Sequence, residues 1–166
     1  MFVPVPSPEE MSRWDAEAIR LGMAGEVLME SAARCAMDSL RQHWSARGRS
    51  LTGASVLLLA GSGNNGGDGF ALACILRERG RECALFTVSS RLSADSTHYA
   101  EKARKLGIPI EPFSPGCLAG FDTVVDCLLG TGFAGDLREN YRAAIEAINE
   151  SGAFVLSVDI NSGMNG

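Results

Sequence analysis

Ala54-Ser55-Val56-Leu57-Leu58-Leu59-Ala60, followed at once by Gly61-Ser62-Gly63-Asn64-Asn65-Gly66-Gly67-Asp68-Gly69, is the stretch that decides the fold. A short, unbroken apolar run fits a strand buried on both faces, which is the situation inside a parallel sheet. Parallel neighbours need crossover helices, and the chain supplies them in order. A helix is expected near Phe70 to Arg79, stopped by Gly80, then a strand near Cys83 to Val88. A helix near Ser93 to Leu106 stopped by Gly107 follows, then a short strand at Ile108 to Pro112 and a strong one at Thr123 to Leu129. The last repeat is a helix near Leu137 to Glu150, Gly152 as its stop, and a strand at Phe154 to Val158. Strand and helix alternate throughout, so the fold class is α/β with a mainly parallel sheet.

Upstream, Ser7-Pro8-Glu9-Glu10 carries the signature of a helix start, with Ser7 as N-cap, Pro8 at the first helical position and Glu10 completing a capping box. Met11, Trp14, Ala18 and Leu21 recur at helical spacing, and Gly22 and Gly25 punctuate the join to a second helix. Leu28, Ala32, Ala36 and Leu40 mark one face of that helix, and Trp44 extends it. Met23, Met29 and Met37 are expected to fill core rather than bind a cofactor.

Composition narrows the function classes. The 166 residues hold 20 acidic and 15 basic side chains, a net charge of −5, with no Lys/Arg block to displace counterions from nucleic acid. Five cysteines never closer than nine positions exclude a C-x-x-C zinc or redox pattern and read as reduced, mostly buried thiols. No apolar run approaches the ~20 residues of a membrane span, and residues 1–7 lack the basic-then-apolar order of a signal peptide, so a cytoplasmic location is expected and no membrane partner.

The chemistry should lie in the loops at the carboxyl ends of the strands. Five glycines in the nine positions 61–69, directly before a helix, let backbone N–H groups approach an anion closely, which points to phosphate or pyrophosphate. G-x-G-x-x-G is satisfied by Gly61, Gly63 and Gly66, but no acidic residue ends the second strand to hold a ribose, and no Gly-Lys-Ser/Thr follows. That disfavours an NAD(P)-dependent dehydrogenase and a Walker A site. A solvated turn capped by Asp68 is the bland alternative. In the second loop, Asp126 sits inside an apolar strand with no nearby basic residue. Buried charge of this kind must be compensated, either by a cation or by backbone N–H groups of a neighbouring loop. The third loop, Val158-Asp159-Ile160-Asn161-Ser162-Gly163, ends a strand at Asp159. If the sheet order permits, Asn65, Asp126, Asp159 and Ser162 converge as an all-oxygen group that suits a hard cation.

Together, Gly63 to Gly69, Val125-Asp126 through Gly130-Thr131-Gly132, and Val158 to Gly163 resemble the NAD(P)H-hydrate epimerases, the YjeF N-terminal domain group, a match that extends to Leu28-Met29-Glu30. The resemblance implies a Rossmann-like three-layer α/β/α sandwich with two N-terminal helices, usually dimeric, that interconverts the R and S epimers at C6 of hydrated NADH or NADPH. It implies substrate contacts from Asn64, Asn65, Gly66, Gly67 and Asp68, from Gly130, Thr131, Gly132, Phe133, Ala134, Gly135 and Asp136, and from Asp159, the proposed catalytic acid/base. It further implies K+ held by Asn65, Asp126 and Ser162. The family commonly has Pro where Asn161 stands and often Asn where Ser31 stands. One domain of this type is expected over residues 1–166; since the family domain usually continues with further strands, either the strand at Phe154 to Val158 finishes the sheet or the sequence is a fragment of something longer. A fused or separate ATP/ADP-dependent dehydratase for the same hydrate is the expected companion. The competing reading is a non-catalytic nucleotide-binding scaffold on the same fold, as in mRNA-decapping scaffolds that resemble this family.

Overall fold

In the computed structural model, which describes residues 6–164, the decisive apolar run becomes β1 (Val56–Ala60), with every side chain at most 3% exposed. It pairs in parallel with β2 (Ala84–Thr87) on one side and β4 (Thr123–Cys127) on the other. The two-residue β3 (Glu111–Pro112) and β5 (Phe154–Ser157) flank these, also parallel, giving the order β3-β2-β1-β4-β5. The expected strand at Ile108 to Pro112 is therefore much shorter: Ile108 is buried in the core, and pairing with β2 begins only at Glu111. The N-terminal stretch read as lacking a signal peptide and the end of the chain fall largely outside the described residues.

Alternation along β1 feeds two cores. Val56, Leu58 and Ala60 face a cluster built with α2 (Gly25–Ala46), α3 (Asn64–Glu78) and α4 (Ala94–Lys105), whereas Leu57 and Leu59 face Leu118, Tyr141, Ala144 and Ile148 of the Pro115–Leu118 turn and α5 (Glu139–Glu150). This is the three-layer α/β/α sandwich. Leu58→Ala would cost about 2–5 kcal/mol, the usual consequence of emptying a filled core position. Trp44 closes the base of the first core, donating its indole N–H to Thr123 Oγ1 at 3.2 Å, which satisfies both buried polar groups.

The first helix, α1 (Pro8–Arg20), has the expected box: Glu10 N–H donates to Ser7 Oγ and Ser7 N–H to Glu10 Oε2. None of its residues is buried, and Trp14, Ile19 and Leu21 are more than half exposed. Met29 and Met37 fill core as expected, but Met23 does not: it lies in the α1–α2 join and is exposed. All five cysteines are free; Cys74 and Cys127 are buried and Cys35 is exposed. No described helix is long and apolar enough to cross a membrane.

The strand order reverses direction between β1 and β4, so the loops after these strands part and leave a crevice at the carboxyl edge, where open α/β sheets place their ligands. The glycine-rich segment behaves differently from expectation here. Rather than a loop preceding a helix at Phe70, α3 begins at Asn64, with Gly63 as N-cap. Glycine disfavours helix interiors, but these positions are crowded. A Cβ at Gly67 would strike Met29 and Ser96, and one at Gly69 would press on Cys127. Small size lets α3 lie directly on the sheet, and packing overrides propensity.

Candidate active site

Three loops meet at the crevice. After β1 the chain turns through Gly61, where a side chain would collide with the Leu128 carbonyl of the loop after β4. Only glycine permits this crossing. Asn65, in the first turn of α3, donates through Nδ2 to the Leu129 carbonyl at 2.9 Å, while its buried Oδ1 has no partner. Leu129 N–H in turn receives no backbone partner but donates to Ser162 Oγ at 3.0 Å, bringing in the loop after β5.

Asp126 is 3% exposed and sits beside Ser157 in the β4–β5 register. Its Oδ1 accepts from Ser162 Oγ at 2.6 Å and Leu128 N–H at 3.1 Å; its Oδ2 accepts from Ser162 N–H at 3.1 Å and Ser157 Oγ at 3.2 Å. Four donors therefore stabilise the buried carboxylate, so of the two sequence alternatives the neighbouring-loop one is realised and a cation is not needed for Asp126 alone. The group lacking a partner is Asn65 Oδ1. An amide oxygen, the Leu129 carbonyl, the Ser162 hydroxyl and the Asp126 carboxylate form a donor set of oxygen atoms only, and the orphaned oxygen is the one a hard cation would satisfy.

Asp159 stands two residues beyond the end of β5, at φ +70°, the only non-glycine residue in the left-handed region among those described. Such a conformation costs about 1–3 kcal/mol and clusters at functional sites. It is held by Thr131, whose backbone N–H and Oγ1 donate to Asp159 Oδ2 at 2.6 and 3.0 Å. The approach requires glycine at position 130, because a Cβ there would overlap that same carboxylate oxygen.

The crevice opens into a cleft of about 800 Å³. Asn64, Asn65 and Asp68 line it from α3, Gly130 to Phe133 from the loop after β4, and Asp159 from the loop after β5. Gly66 and Gly67 are buried behind this lining, and Ala134, Gly135 and Asp136 lie beyond it, exposed. Two further walls were not assigned to the site from the sequence: Met11, Asp15 and Ile19 of α1, and Leu28, Met29 and Ala32 of α2, with Asp95 of α4 between. Of the helical face read from the sequence, Ala36, Leu40 and Trp44 enter the core as expected, whereas Leu28 and Ala32, nearer the start of α2, turn to the cleft edge. Asp68 does not cap the turn. Burial, reinforced by the charges of Asp159 and Asp15, pushes its carboxyl up from 3.8 to about 7.

Comparison with known proteins fits this geometry. The sequence profile of the family described as YjeF-related protein N-terminus matches residues 25–166. The chain belongs to this family. It is 40% identical over 150 residues to an NAD(P)H-hydrate epimerase of Rhodopirellula baltica, covering 87% of this chain and 59% of that one. A second NAD(P)H-hydrate epimerase, from Limosilactobacillus fermentum, is 31% identical over 88% of this chain and 68% of its own. The bifunctional NAD(P)H-hydrate repair enzyme Nnr of Archaeoglobus fulgidus is 33% identical over 96% of this chain, which spans 32% of that protein. The crystal structure of the yeast protein ynu0 (YNL200c) shares the fold, with a TM-score of 0.83 at 24% identity over 97% of this chain and 72% of that one.

Proposed function

We propose that the protein is an NAD(P)H-hydrate epimerase, an isomerase that interconverts the R and S epimers at C6 of hydrated NADH or NADPH. The observation that carries the reading is Asp159: a charged side chain kept in a strained backbone conformation, oriented by Thr131, at the mouth of a cleft formed where three family loops meet. In the hydrate the C6 hydroxyl sits next to the ring nitrogen N1. Protonation of that hydroxyl lets the nitrogen lone pair expel water, leaving a planar iminium-like carbon. Water returning to the opposite face inverts the centre. Asp159 lies where it could exchange the proton, a role that typically contributes 10²–10⁴-fold.

The N-terminus of α3, with the free N–H groups of its first turn, suits the diphosphate of the dinucleotide. K+ would be held by Asn65, Asp126 and Ser162, with the orphaned Asn65 Oδ1 supporting that assignment. When bound it would supply positive charge beside an otherwise acidic cleft. Dimerisation belongs to the same reading, supported by the apolar side chains that α1 leaves in solvent. So do a cytoplasmic location, which the five unpaired thiols favour, and a dehydratase, fused or separate, that consumes the same hydrate. Carboxylates lining the cleft count against a passive scaffold, which has no use for them.

The direct test incubates the purified protein with one purified hydrate epimer and follows the other by stereoselective chromatography, with Asp159→Asn as control. Acceleration by the wild type and its loss in the variant are expected. Interconversion no faster than the spontaneous rate would remove the proposal.

A further inference from the structure

We propose that Asp68 is a second catalytic residue and that it works with Asp159 as an acid–base pair, one carboxyl on each side of the reacting carbon. The inference rests on the epimerase reading and deepens it. Both side chains line the same cleft, and each comes from a different loop: Asp159 from beyond β5, Asp68 from the second turn of α3. Their roles in the structure differ. Asp159 is exposed at the mouth and fixed as an acceptor by the Thr131 donors. Asp68 is largely buried, and no hydrogen bond from the described residues stabilises its charge. A carboxyl placed so, without donors or a basic neighbour, serves neither capping nor ion pairing.

The surroundings keep it that way. From α1 Asp15 faces it, from the loop after β5 Asp159, from β4 the buried Cys127 whose own thiol is pushed up partly by Asp68, and Asp95 of α4 lines the same cleft. Among the described residues lining the cleft there is no Lys, Arg or His. Asp95 lies against Gly25, at the N-terminus of α2, where a negative charge is favourable. Asp68 has no such compensation, and with its carboxyl pushed up to about 7 the neutral acid and the carboxylate are both populated near neutral pH.

Two carboxyls sharing one proton suit an inversion, since opposite faces of one carbon need opposite proton traffic. For one epimer, the Asp68 acid gives its proton to the C6 hydroxyl as the C6–O bond breaks, and the N1 lone pair forms the C6=N1 bond. A water on the other face then bonds to C6 as it gives a proton to the Asp159 carboxylate, and the C6=N1 electron pair returns to N1. One water leaves and one enters. The proton ends on Asp159 with Asp68 ionised, which is the form that accepts the opposite epimer; exchange with solvent resets either form.

The test is steady-state kinetics in both directions with purified epimers, on wild type, Asp68→Asn, Asp159→Asn and the double variant, each checked for folding by circular dichroism. Each single variant is expected to lower kcat by about 10²–10⁴-fold with KM changed less than about threefold, and the double variant to lose little more, because the two act as a unit. Asp68→Ser must show the same split and serves if Asp68→Asn does not fold. Variants of Asp68 that keep kcat and only raise KM would make it a binding contact and overturn the inference, as would losses that multiply in the double variant. A wild type that does not interconvert the epimers removes the epimerase reading itself, and this inference with it, whereas an active wild type with an unimpaired Asp68→Asn overturns this inference alone.

Discussion

Replacing Asp68 by Asn should make the protein more stable, and the gain should depend on pH. The carboxyl is pushed from 3.8 to about 7 chiefly by burial, then by Asp159 and Asp15. Folding therefore favours its protonated form: its contribution to stability is fully present below pH 3.8, declines as pH rises toward 7, and is lost above that. A rise of this size corresponds to about 4 kcal/mol above pH 7, of which about 3 kcal/mol accrues between pH 5 and pH 8. Both are upper bounds, since Asp68 retains some solvent contact and the cleft can relax around its charge. Urea unfolding of wild type and Asp68→Asn at pH 5, 6, 7 and 8, in choline chloride to keep alkali cations away, measures the difference directly. The variant's advantage should grow by about 1–3 kcal/mol across that range, or roughly 2–10 °C in Tm for a chain of this size. An advantage that stays constant from pH 5 to pH 8 would refute the argument, because it would mean that the carboxyl is already ionised at pH 5 in the folded protein.

Asp159→Asn should leave stability within about 1 kcal/mol of wild type while lowering epimerisation by the same factor of about 10²–10⁴, because Asn tolerates the left-handed conformation and keeps an acceptor for Thr131; Asp159→Ala should lose about 1–3 kcal/mol more in the same urea titration. Gly130→Ala, which drives a methyl group into the Asp159 carboxylate, should lower both stability, by about 1–3 kcal/mol, and kcat. Replacing choline chloride by potassium chloride should raise Tm in the wild type, by the equivalent of about 2.7 kcal/mol once the ion is a hundredfold above its Kd; in Asn65→Ala and Ser162→Ala, measured by the same thermal scan, the increment should vanish.

The parts of this molecule that were legible in the sequence are those whose cause is local. A short, unbroken apolar run directly before a glycine-rich segment fits a strand buried on both sides, and β1 is that strand. Ser7, Pro8 and Glu10 specify a helix start within four residues, and the capping box forms. The start of α3 was misplaced for an equally local reason: glycines at 66, 67 and 69 read as loop, and only the proximity of Met29, Ser96 and Cys127 explains why a helix needs them. The compensation of Asp126 needed the sheet order, since Ser157 faces it across β4–β5 and Ser162 returns from the following loop. The α1 wall was legible as a helix through the spacing of Met11, Trp14, Ala18 and Leu21, but not as part of a cleft, because helical spacing reports an element and not what its exposed face meets.

Charge explains why such a cleft would still accept a dinucleotide. Asp15, Asp68, Asp95 and Asp159 line it with no basic side chain among the described residues, and four ionised carboxylates there would repel a diphosphate strongly. The fold lowers that repulsion by separate means. Asp95 sits against the N-terminus of α2, Asp159 is held by a backbone N–H and a hydroxyl, and Asp68, its carboxyl pushed up to about 7, is mostly neutral below that pH. The free N–H groups at the start of α3 then add local positive potential on the side from which Asn64 and Asn65 face the cleft. Affinity for the dinucleotide should accordingly fall as pH rises through 7 in the wild type and stay level in Asp68→Asn. Calorimetric titration with NADP+, which lacks the C6 hydroxyl and cannot turn over, separates this electrostatic effect from catalysis: equal pH dependence in the two proteins would show that the charge on Asp68 is not felt by the ligand.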